Sequence, residues 1–115
     1  MKRTDRDWIA DAASHLEIVA AHLQATADSQ LVLDAAALRL SAAIDSVAHV
    51  SEPLRASVIP DPLWRRIKGT RNRIAHEYGF VDRDVLRTIL EKDVAAFAAQ
   101  VAQLRTAAED LEGTP

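Results

Sequence analysis

The sequence predicts an all-α protein, and three observations carry that expectation. Alanine, leucine and other strong helix formers dominate, while only three glycines and four prolines interrupt the chain. Apolar residues recur at three- and four-residue intervals over long stretches, which is helical periodicity and not the alternation of a strand. The apolar fraction is 49% but aromatics supply only 4%, so the core must come from closely spaced helices with small side chains between them. At 115 residues the chain suits a single domain spanning 1–115.

The first helix is expected from near Asp5 to near Ala27. Its Ile9, Ala12, Leu16, Val19 and Leu23 line up as one apolar stripe. Trp8, His15 and His22 lie seven apart and share a neighbouring face suited to packing or subunit contact. Asp28 or Ser29 can cap a second helix that runs from about Gln30 to Val50. Leu31, Leu33, Ala35, Leu38, Leu40, Ile44, Val47 and Ala48 make this helix apolar on most sides, as in a helix that is central or shared with another subunit. Arg39, Asp45 and His49 are its polar exceptions.

A short extra turn fits residues 53–59. Pro60-Asp61-Pro62 then breaks the chain firmly, since two prolines cannot sit inside one helix. The second proline suits the first turn of a third long helix, from about Pro62 to His76 or Glu77, which Gly79 stops. Its buried stripe is expected to be Leu63, Ile67 and Ile74, with Trp64, Arg71 and Tyr78 along one flank. Asp82 caps a final helix, roughly Arg83 to Leu111, whose Phe97, Val101, Leu104, Ala108 and Leu111 form a bundle seam. Four principal helices with short loops give an up-and-down four-helix bundle.

Formal charge is −3, so the chain as a whole is no basic nucleic-acid binder. The distribution is more informative. Arg65, Arg66, Lys68, Arg71 and Arg73 form a run of five positives with no acid among them, on a chain otherwise rich in carboxylates. Such a run is either a solvated helix face or a focused anion site. Cysteine is absent, which excludes disulfides, thiolate metal sites and thiol nucleophiles and fits a cytoplasmic protein. The charged N-terminus has no apolar signal region behind it, and no apolar run reaches membrane-spanning length. His15 and His22 are too far apart along one helix to chelate one ion, and no metal or other cofactor is expected.

Chemistry concentrates in Arg71-Asn72-Arg73-Ile74-Ala75-His76-Glu77-Tyr78. A permanently charged guanidinium near an imidazole that titrates near neutral pH suits phosphodiester chemistry. On a straight helix Arg71 and His76 diverge. Either the helix ends at His76 and the imidazole swings round, or two subunits pool their copies in one cleft. The apolar excess of the second helix favours a twofold dimer with the cleft at its interface. Given RNA in such a cleft, His76 would move protons at the 2′-hydroxyl or the departing 5′-oxygen, and Arg71 would hold the non-bridging oxygens. Asn72 would fix the imidazole or donate to phosphate, and Tyr78 would stack on a base or bond to phosphate. Taken singly, His76 also suits a helix C-terminal cap, Arg65, Arg66 and Lys68 solvated positives, and Asp45 a plain polar interruption.

Gly69-x-Arg71-Asn72-x-x-x-His76-x-Tyr78 resembles the Arg-x4-His-x-Tyr signature of HepT-like toxins of the HEPN superfamily. The resemblance extends over about residues 9 to 105, through Ile59-Pro60, Trp64 to Lys68, Val81-Asp82, and Asp34-Ala35 with Ser51-Glu52 around the second helix. It implies a homodimeric HEPN-like bundle with metal-independent endoribonuclease activity, in which Arg71 and His76 match the catalytic pair. It also implies the toxin half of a type VII-like toxin–antitoxin system, where a cognate minimal nucleotidyltransferase antitoxin adenylylates the tyrosine matching Tyr78. Where the family often has Ile-Gly-Glu, this chain has Ala43-Ile44-Asp45, and the usual upstream arginine is shifted to Arg39. On the resemblance, Asn72, Arg65, Arg66, Lys68, Arg73 and Asp45 are supporting or RNA-contacting candidates. A second possibility is a non-catalytic substrate-binding or regulatory subunit of such a nucleotidyltransferase.

Overall fold

Five helices and no strand make up the described part of the protein. The computed structural model describes residues 2–26, 30–77 and 83–113, with side chains over 2–24, 30–75 and 84–111. In chain order the helices are α1 (Asp5–Thr26), α2 (Gln30–Ala48), α3 (Glu52–Val58), α4 (Asp61–Glu77) and α5 (Arg83–Gly113). The expected caps and stops at Asp28, Ser29, Gly79 and Asp82 lie outside the described residues.

The helix ends follow from local chemistry. At the start of α1 the Thr4 amide donates to Asp7 Oδ2 at 2.8 Å and the Asp7 amide donates to Thr4 Oγ1 at 3.3 Å, a reciprocal cap that satisfies two free N–H groups. α2 stops at Ala48, two residues before the expected end. There the amides of His49 and Val50 reach back only three residues, to the carbonyls of Ser46 and Val47. The expected extra turn is a full short helix, α3. Ser51 at its start turns its side chain away from its own helix, and its hydroxyl and amide both donate to Asp5, at 2.6 and 2.9 Å. That ties α3 to the first turn of α1.

α1 and α2 pack antiparallel. Trp8 stacks on His49 with centroids 4.1 Å apart, and two turns further along α1 His15 Nδ1 lies 3.2 Å from Arg39 Nη1. Alanines make the close approach: Ala12, Ala36, Ala37 and Ala43 are buried between the leucines and valines of the core. α5 lies across α1 and α2, α3 leans on α5, and α4 packs on α2. The result is an all-α bundle of four long helices with α3 inserted between α2 and α4.

Two expectations about burial need correction. On α4, Leu63, Ile67 and Ile74 are only half-buried, whereas Trp64, expected on the flank, is the buried side chain. α4 rests on α2 along one face, and its first turn meets the α3 corner, so the residue pointing at that corner is covered instead. On α5 the seam holds from Phe97 to Ala108, but Leu111 is exposed, because this 31-residue helix outruns the 22-residue α1 it packs on. The same seam extends the other way through Leu86, Leu90 and Val94.

Candidate functional site

Arg71 sits in the fourth turn of α4 and faces α2. Its Nε donates to Asp45 Oδ1 at 3.0 Å and its Nη2 donates to Asp45 Oδ2 at 3.4 Å. The carboxylate therefore grips one edge of the guanidinium and leaves the other edge open. Both side chains are accessible, 36% for Arg71 and 53% for Asp45. An exposed pair of this kind contributes only about 0–1 kcal/mol, so it orients the guanidinium without locking it away from a stronger anion. The acid that the sequence marked as either an interruption or a support is thus in direct contact with Arg71.

The pair stands at one end of an open groove of about 390 Å³ between α2 and α4. Leu38, Ser41 and Ala42 wall it on α2, and Ile74 and Ala75 on α4. Leu38 is 71% exposed, and Leu31, two turns before it, is also open to solvent. Sequence reasoning did not single out this wall. The signal was there in the 3-4-3-4 spacing of Leu31, Asp34, Leu38, Ser41 and Asp45, which share one face of α2.

The remaining candidates do not join Arg71. Arg65, Asn72 and Arg73 are exposed on α4, and Arg66, also exposed, borders a groove between α4 and α5 that Asp93 lines too. Lys68 is exposed too, but its ammonium lies 5.7 Å from the centre of the Trp64 ring, close enough for a cation–π contact. His76 belongs to the last turn of α4, about 140° round the helix from Arg71. Its side chain lies outside those described, and Tyr78 lies outside the described residues altogether. Among the described residues no three His, Cys, Asp or Glu side chains converge, and no helix is long and apolar enough to cross a membrane.

A second cluster fixes the start of α4. Arg55 is buried and its Nη1 donates to the Ile59 carbonyl at 2.8 Å. The same nitrogen pairs with Asp61 at 2.8 Å, and the guanidinium lies over the Trp64 ring at 5.8 Å. Trp64 is thereby held between Arg55 and Lys68, and the helix that carries Arg71 is anchored at its first turn.

The family model described as HepT-like, Ribonuclease HepT-like, matches residues 9–104, which covers α2 to α4 entirely and most of α1 and α5. No curated protein and no solved structure matches the chain.

Proposed function

Because the chain belongs to the HepT-like ribonuclease family, we propose that it is an endoribonuclease toxin that uses Arg71 and His76 and acts in the cytoplasm as a homodimer. In the first step His76 takes the proton of a ribose 2′-hydroxyl as the 2′-oxygen bonds to phosphorus. The bond from phosphorus to the 5′-oxygen breaks, and an imidazolium returns a proton to that oxygen. The products are a 2′,3′-cyclic phosphate and a 5′-hydroxyl. Arg71 offsets the charge that develops on the non-bridging oxygens, with its geometry set by Asp45. The chemistry needs no metal ion.

One observation carries this reading. Arg71 is held side-on by a carboxylate with its other edge free, beside an open groove; the angle of about 140° between Arg71 and His76 on one helix is bridged by two subunits pooling their copies in the dimer. The dimer is supported by the uncovered Leu31 and Leu38, which extend the apolar wall of that groove. A light-scattering mass of one chain at micromolar concentration would remove it.

The decisive experiment expresses the chain alone and analyses the ends of cleaved RNA. Cyclic phosphate ends in the presence of chelator, lost in His76→Ala, are expected. Cleavage that persists in His76→Ala, or stops in chelator, overturns the mechanism.

Neutralisation completes the proposal. The Tyr78 phenol oxygen loses its proton to solvent and bonds to the α-phosphorus of ATP on a partner nucleotidyltransferase, and the bond from that phosphorus to the departing pyrophosphate breaks. The added AMP brings bulk and negative charge into a site built for an anion. AMP mass on the wild type and none on Tyr78→Phe is expected; equal labelling of both removes Tyr78 as acceptor. Labelling with no RNA cleavage under any condition would identify the chain as a regulatory subunit instead.

A further inference from the structure

Gly69 stands in the middle of α4, and nothing among the described residues gives it a reason internal to the fold. Glycine is the poorest helix former after proline, so its presence in an exposed helix interior weakens α4. It does not supply an unusual backbone angle, since no described glycine has positive φ. Nor does it make room for a packed neighbour: among the described residues a methyl group placed on its Cα would meet nothing within 4 Å. What remains is an object outside the protomer that must come close to the helix backbone.

The surroundings say what kind of object. Arg65, Arg66, Asn72 and Arg73 lie four before, three before, three after and four after Gly69, and are therefore its neighbours on the helix surface. All four are exposed, and none of the ion pairs among the described residues involves the three arginines. No acidic residue occurs between Pro62 and His76. A bare patch of helix ringed by three guanidiniums and an amide fits a phosphate group. A second copy of the chain fits poorly, because twofold packing would set these positives against their own copies.

We infer that Gly69 is the seat of a backbone phosphate of bound RNA, next to the one that is cleaved. Without a Cβ the phosphate settles against the helix between Arg65 and Arg73, with Arg66 at the edge of the patch beside the groove that Asp93 also lines. By helical register position 76 lies seven residues further along nearly the same face, about 10 Å along the axis, so the strand tracks up the outside of α4 from the seat towards it; Arg71 is on the opposite face, and meets the cleaved phosphate through the pooled copies of the homodimer. This rests on the ribonuclease reading but makes a separate demand, that Gly69 is present for substrate and at the expense of stability.

The test compares wild type, Gly69→Ala and Gly69→Leu for thermal stability and for binding a fully 2′-O-methylated single-stranded RNA, which lacks the attacking hydroxyl. Wild-type cleavage of the unmodified strand is measured in parallel. Gly69→Ala should melt about 4 °C higher. Gly69→Leu should also fold well, yet bind the methylated strand about tenfold more weakly. Arg65→Gln should reduce the slope of log affinity against log salt by about 0.7. If wild type cleaves RNA and Gly69→Leu binds and cleaves equally well, the seat is wrong and the ribonuclease reading stands. If wild type neither binds nor cleaves, both fail together. If Gly69→Leu lowers the oligomer mass at unchanged affinity per chain, the occupant is a second copy and the inference is overturned.

Discussion

Arg55 and Arg71 each hold an aspartate, and they do opposite things. Arg55 reaches Asp61 at 2.8 Å with its side chain only 7% exposed, while Arg71 reaches Asp45 at 3.0 Å and is 36% exposed. The ion pairs are chemically alike. What separates them is the rest of the guanidinium. Arg55 also donates to the Ile59 carbonyl and lies over Trp64, so its hydrogen bonds and its flat face are engaged inside the protein. Arg71 makes two contacts, both to Asp45, and shows its other edge to an open groove. An ion pair that completes the coordination of a buried cation belongs to the fold. One that steers an accessible cation while leaving donors free belongs to a site.

On the proposed function the largest effect is on catalysis. Arg71→Ala should lower kcat by about 10²–10³-fold, the usual loss when one donor to a developing anion is removed. Its melting temperature should barely move, because an exposed pair contributes about 0–1 kcal/mol. Arg71→Lys should rescue little, since an ammonium cannot take a side-on carboxylate and still offer a planar donor edge. A strongly destabilised but active Arg71→Ala protein would reverse the roles assigned to the two arginines.

Arg55→Ala should show the converse. Asp61 is 61% exposed and returns to water easily, so the loss is that of the Ile59 hydrogen bond and the packing on Trp64, about 2–3 kcal/mol together. Denaturant unfolding measures it directly. Activity per folded molecule should survive at a temperature where the variant remains native. Loss of activity in a fully folded Arg55→Ala protein would mean that the α3 corner reaches the site.

This contrast was only partly legible in the chain. The helices were, because Pro60-Asp61-Pro62 punctuates and Ile9, Leu16, Leu40, Phe97 and Leu104 keep helical periodicity. Arg71 stood out because it opens a short motif that ends at Tyr78. Arg55 did not. Nothing in Leu54-Arg55-Ala56 says that a lone arginine in a seven-residue helix will be buried, since its burial depends on Trp64 and on the Ile59 carbonyl meeting it from across the break. Trp64 was misjudged for the same reason: helical register gives angles within α4 but not which side of α4 meets α3. The Asp45–Arg71 pair is a contact between helices 26 residues apart in sequence, and register within either helix cannot supply it.

The smallest effect sharpens the comparison most. On the proposed function Asp45 plays two parts toward Arg71: it fixes the guanidinium, and its negative charge opposes an incoming phosphate. Asp45→Asn keeps the size and one acceptor oxygen but removes the charge. Orientation should loosen, lowering kcat about fivefold, while phosphate binding should improve, lowering KM about two- to fivefold; both correspond to the 1 kcal/mol or less available from an exposed pair. Stability should stay within about 1 kcal/mol of wild type. The opposed movement of kcat and KM separates steering from mere proximity, because a surface pair with no bearing on substrate would leave both constants where they were. Should kcat fall as far as in Arg71→Ala, Asp45 would instead be indispensable to the guanidinium's placement, and the distinction between a locked Arg55 and a merely steered Arg71 would no longer hold.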